Sequence, residues 1–109
     1  MVPYYVLEEY KGEVDTERCS MLMRVMEGCL VKLKMKPVIS YGPWEEGEPV
    51  EVWVFVTLCR GASNVGIISY ANPDETIKKF KYMRYNDQVI FGDKHVFNMD
   101  WLGRIMVDL

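Results

Sequence analysis

The chain carries one histidine, His95, and therefore one side chain whose ordinary pKa lies near neutrality. Asp93 and Asp100 lie close enough in sequence to orient its imidazole, as a general base requires. No serine or cysteine nucleophile is placed by a recognisable motif, so His95 reads as a hairpin residue without a catalytic role. A second cluster, Cys59-Arg60-Gly61-Ala62-Ser63-Asn64, follows an apolar run and ends in small residues. A thiolate beside Arg60 would have a lowered pKa, and turn amides can hold an anion. Strand character resumes at Val65, however, so no helix N-terminus faces the cluster, and phosphate-loop spacing is missing. It reads as a β-turn beside a buried cysteine.

The remaining chemistry is sparse. Cys19, Cys29 and Cys59 contain no C-x-x-C pair, and with one histidine they build no familiar zinc site. Their odd number points to reduced thiols. The eight methionines supply adaptable core packing rather than a cofactor site. The expectation is a protein that is not an enzyme and has no cofactor and no metal centre.

Two surfaces have the composition of binding sites. The loop Tyr41-Gly42-Pro43-Trp44-Glu45-Glu46 sets two large aromatics among turn-formers and acids. Tyr and Trp are common interface anchors, so Tyr41, Trp44, Glu45 and Glu46 form a candidate protein-binding surface. The alternative at this loop is that Trp44 folds back over the sheet edge and caps the core. The second surface is a helix expected over 73–85, where Lys78, Lys79, Lys81 and Arg84 alternate with Phe80, Tyr82 and Tyr85. Cations interleaved with aromatics are what single-stranded nucleic acid or another anionic ligand requires. The plainer reading makes Phe80 core and the cations a solvated face.

The elements that must position these residues follow from periodicity. Pro3–Tyr10 has strand composition, and Asp15 or Thr16 can cap a helix with Cys19, Leu22, Met26 and Cys29 on one face and Gly28 near its end. Val31, Leu33 and Met35 alternate with Lys32, Lys34 and Lys36, which predicts a half-buried strand, with the lysines marking it as an edge. Val50–Leu58 is apolar enough for a central strand covered on both faces. Val65–Ala71 follows as a third strand, weakened at Gly66. Asn72, Pro73 and Glu75 have the order of N-cap, first turn and capping box for a helix reaching Tyr85. Val89–Phe91 and His95–Phe97 predict a hairpin around Gly92-Asp93. From Asp100 to Leu109 a capped helix or a last strand fits.

The resulting order, β-α-β-β-β-α-β-β with a short terminal element, gives an α+β fold: one domain, mainly antiparallel sheet, with two helices packed on it. Residues 15–85, in the order α-β-β-β-α, are similar to the double-stranded-RNA-binding domain in element order alone. That family's loop histidine and lysine cluster have no match here, because the second helix begins with Asp74 and Glu75.

A chain of 109 residues is one domain in size, and 50% hydrophobic residues suffice for its core. Sixteen acidic against thirteen basic side chains give a charge of −3, which repels nucleic acid at long range. The start of the chain has no basic signal region, and no uncharged run approaches the ~20 residues of a membrane span. A cytoplasmic protein with a protein partner and no membrane contact is expected, of the inhibitor, immunity or viral accessory kind. Self-association through a sheet edge is compatible with this.

Overall fold

Alternation of apolar residues with lysines produces the longest described strand, and the rest of the sheet is built on its two edges. The computed structural model describes residues 4–11, 25–60 and 62–101. Along them run β1 (Tyr5–Leu7), β2 (Cys29–Tyr41), β3 (Trp44–Glu46), β4 (Val50–Leu58) and β5 (Asn64–Ile68). There follow α1 (Asp74–Lys78), β6 (Gln88–Phe91), a 3-10 turn at Asp93–His95 and β7 (Val96–Trp101). Every strand pair is antiparallel. One edge of β2 takes β4 and, further along, β3; the other takes β7 and then β1.

The core lies on one face of this sheet. Val31 stands between Val54 and Met99, and Leu33 between Val52 and Val96. All of these are buried. Met35 faces Val50 on one side and Leu7 on the other, so the row continues into β1. Ile77, Phe80 and Met83 join the same cluster from α1 and the turn after it. On the opposite face Lys32 stands across from Trp53 and diagonal to Glu51, with Nζ 4.6 Å from the indole centroid and 3.6 Å from the carboxylate.

Strand directions require the sheet to curl. β6 and β7 run the same way, because each is an odd number of antiparallel steps from β2. A flat sheet would separate them by four strand spacings, about 19 Å. The five residue steps from Phe91 to Val96, three of them in a 3-10 turn, reach only about 13 Å. The sheet therefore bends into a half-barrel, and the turn at Asp93–His95 carries the chain across its opening. Gly66 assists the bend: a Cβ there would press into Val54 and lie 2.7 Å from the Phe55 carbonyl oxygen. It is the residue that lets β5 close on β4, where the register shifts by one residue.

Several expectations are corrected. One α-helix occurs among the described residues where two were expected, and the first predicted helix lies largely on residues 12–24, outside them. β2 is an interior strand, not an edge; its lysines face outward between two neighbouring strands. The outer face of β4 is only partly covered, with Glu51 and Thr57 exposed. The second helix stops at Lys78 instead of Tyr85, and Phe80 and Met83 are buried from the turn beyond it. Its last bonds are already of the tighter 3-10 type, Lys79 to Thr76 and Phe80 to Ile77. Val89–Phe91 and His95–Phe97 do not form a hairpin, because β6 pairs with β5 and β7 with β2. Asp100 and Trp101 end β7, and the rest of the predicted terminal element lies outside the described residues. The likeness to the RNA-binding domain does not hold in the order of elements, for four strands, β2 to β5, precede α1 and the expected first helix lies outside the described residues. β7 is also paired to β2, and α1 has only five residues.

Candidate functional site

The loop that holds Trp44 is a hairpin. Tyr41 pairs with Trp44 across a two-residue turn with a cis Gly42–Pro43 peptide, and Ser40 pairs with Glu45. Its backbone pairs with β2 along one edge, and the side chains of residues 41–46 are exposed. The Tyr41 and Trp44 rings meet edge to face, 5.8 Å between centroids at 79°. The indole Nε1–H of Trp44 donates to Glu46 Oε2 at 2.9 Å. These contacts set Tyr41, Trp44 and Glu46 on one face and fix the indole in one orientation.

Despite those contacts the face is open. Trp44 is 49% and Tyr41 46% exposed, so the indole does not cap the core. Glu45, Glu46 and Glu48 are exposed as well. Ile39, 62% exposed, extends the apolar part of this surface. Strict alternation from Met35 would turn Ile39 inward, but the phase has already slipped at buried Val38, next to an irregularity in the β2–β3 pairing, and Ile39 faces out. That residue was missed from sequence, since a bulge leaves no mark in the hydrophobic pattern.

The four cations of the second surface are separated by the early end of α1. Lys78 closes the helix, Lys79 caps it, and Lys81 and Arg84 lie in the turn beyond, all exposed. Lys81 rests over the Tyr82 ring, 5.4 Å from its centroid, and the Arg84 backbone N–H donates to Asp87 Oδ2. Tyr85 stacks on Tyr70 and shares its hydroxyl proton between the Asn72 carbonyl and Asp74 Oδ1, at 2.8 and 2.6 Å. The Asp74 bond pushes the Tyr85 phenol up to about 12.

Asn72 does not cap α1. It is buried and pairs with the peptide groups of Trp53: Oδ1 accepts from the Trp53 N–H and Nδ2 donates to the Trp53 carbonyl, each at 2.7 Å. Its amide thus stands in for the next residue of a strand and completes the edge of β4 where β5 ends. Pro73 occupies the cap position with no side-chain bond.

A cleft of about 560 Å³ opens at the far end of β2 and β4, lined by Val25, Met26, Glu27, Cys59, Arg60, Asn64 and Asp93. Its polar groups bond to one another. Cys59 N–H donates to Glu27, Arg60 N–H to Asn64 Oδ1 at 2.9 Å, and Asn64 Nδ2 to Asp93 Oδ1 at 2.7 Å. Buried Asn64 thus ties the Arg60 backbone to the Asp93 side chain at this end of the sheet. His95 is a fastener too: its Nδ1 accepts the Gly92 N–H at 2.9 Å. Burial, helped by the neighbouring Lys94 charge, holds the His95 pKa below its usual value. Asp93 bonds to Asn64. Cys29 is buried, with its thiol pushed up by burial, and Cys59 is half-buried; neither is in a disulfide, and Cys19 lies outside the described residues.

No three histidine, cysteine or acidic side chains gather at metal-binding distance among the described residues. No described helix is long and apolar enough to cross a membrane. Compared with known proteins, the chain matches no family model, no curated sequence and no solved structure.

Proposed function

We propose that this domain is a small protein-binding module of the inhibitor, immunity or viral accessory kind, and that it grips its partner through Tyr41, Trp44, Glu45 and Glu46. The observation that carries the reading is the half-exposed indole of Trp44, held in one orientation by Glu46 and Tyr41 at the tip of a hairpin. An aromatic anchor fixed before binding loses little rotamer entropy on contact, which is how such residues come to dominate interface energies. Residues 41–46 are exposed without interruption, and among the described strands β3 pairs with β2 alone, so a partner can approach from the face or the edge. Thiol rather than disulfide sulfur at Cys29 and Cys59 fits a reducing compartment such as the cytoplasm.

The test compares the wild type with Trp44→Ala as baits in extracts of the source organism. A stoichiometric partner should co-purify with the wild type and be lost with Trp44→Ala, while the melting temperatures stay close. A large melting loss with unchanged co-purification would place Trp44 in the structural role and defeat the proposal.

A further inference from the structure

We infer, resting on the reading above, that the hairpin recognises an arginine-bearing segment of its protein partner, with the guanidinium stacked on Trp44, paired to Glu46 beside it and drawn in by the acidic charge of Glu45 and Glu48. The charge pattern points there. No lysine or arginine occurs between Lys36 and Arg60, whereas Glu45, Glu46, Glu48 and Glu51 all fall in that interval. Glu51 is drawn onto the outer sheet face by Lys32, which leaves three exposed glutamates on and just after the hairpin: Glu46 beside the indole, Glu45 on the opposite face of β3 and Glu48 beyond its end. None of those three has an ion-pair partner among the described residues.

The local geometry favours a cation that is also flat. Trp44 Nε1–H holds Oε2 of Glu46 on the rim of the indole, so a carboxylate stands beside an exposed π-face. A group lying on that face meets negative ring quadrupole and negative carboxylate together. Tyr41, set at 79° to the indole, gives the surface a second aromatic wall. A guanidinium stacks on the ring while its edge N–H groups reach carboxylate oxygens, whereas an ammonium is a compact, strongly hydrated point charge that does only part of this. An acidic or purely aliphatic partner would desolvate the three glutamates without pairing them.

The test uses a blocked tetra-arginine peptide, with tetra-lysine and tetra-glutamine peptides as controls. The indole N–H resonances are followed by NMR and assigned with Trp44→Phe. The Trp44 signal should move saturably with tetra-arginine while the Trp53 signal stays, and tetra-lysine should bind about five-fold more weakly. Replacing Glu45, Glu46 and Glu48 together by Gln should abolish the response, and so should raising salt to about 0.5 M. An unmoved Trp44 signal, or equal binding by the triple Gln variant, overturns the inference. These outcomes are separable from the fate of the proposed function. Co-purification lost with Trp44→Ala but kept by the triple Gln variant leaves the hairpin as the interface and removes arginine as its ligand.

Discussion

The segments Tyr41–Pro49 and Ser69–Asn72 do opposite things in the fold. Both follow a strand and both mix an aromatic residue with turn-formers. In the second, the Asn72 amide turns inward and completes the hydrogen bonding of Trp53, so the segment is bound to the sheet by a side chain. In the first, the backbone pairs with β2 through the β2–β3 ladder rather than through a side chain, and the side chains of residues 41–46 are exposed. What separates a structural loop from a displayed one is where the backbone finds its partners. The same contrast holds between the two ends of the β2–β4 pair. At the Cys59 end, Glu27, Asn64 and Asp93 are engaged with neighbouring groups, whereas at the Trp44 end Glu45 and Glu48 face solvent.

This comparison can be broken by substitution. The largest effect is expected at Gly66→Ala, in the strand that delivers the Ser69–Asn72 segment to the sheet. The added methyl meets Val54 and the Phe55 carbonyl, and a forced retreat of β5 should cost about 3 kcal/mol, read from urea unfolding. An unchanged midpoint would mean that β5 does not approach β4 so closely. Asn72→Ala should come next, at about 2 kcal/mol, because it leaves the Trp53 N–H without its acceptor. If Asn72→Ala were as mild as an ordinary surface change, within about 0.5 kcal/mol, the distinction between the two loops would fail.

The smallest effect is a pH dependence from His95, another side chain turned inward. Its folded pKa lies below the usual 6.5, so the unfolded chain binds the proton more readily. The contribution to stability is whole above the unfolded pKa and is lost as pH falls through it toward the lower folded value. Unfolding curves at about pH 7.5 and about pH 5 should show a larger acid loss in the wild type than in His95→Asn, which does not titrate. Equal losses would remove His95 from the account.

How much of this was legible in the sequence depended on how local the cause was. The alternation through Val31, Leu33 and Met35 marked β2 and its inward face, because period two is a property of the strand itself. Its central position was not legible: the lysines that suggest an edge are equally at home on the outer face of an interior strand, over Trp53 and Phe97. Asn72 followed by Pro73 spelled a helix cap, yet an amide that can cap a helix can also pair with a peptide, and tertiary contact decided between them. The hairpin expected around Gly92-Asp93 failed for a similar reason, since strand partners are chosen by the whole sheet and not by the turn. At the candidate site the residue types of Tyr41, Trp44, Glu45 and Glu46 were visible, but their exposure was not. Neither was the ladder that produces it.

The claim that Trp44 is displayed for a partner is tested most directly by photo-cross-linking. The photoreactive amino acid p-benzoylphenylalanine replaces Trp44 in one protein and, as a control, Tyr70 in another. Tyr70 is 65% exposed but stacked against Tyr85, away from the hairpin ladder. Irradiated in extracts of the source organism, the protein labelled at position 44 should give one discrete adduct that unlabelled wild type competes away, and the protein labelled at position 70 should give none. Adducts of equal strength from both positions, or none from position 44, would contradict the account.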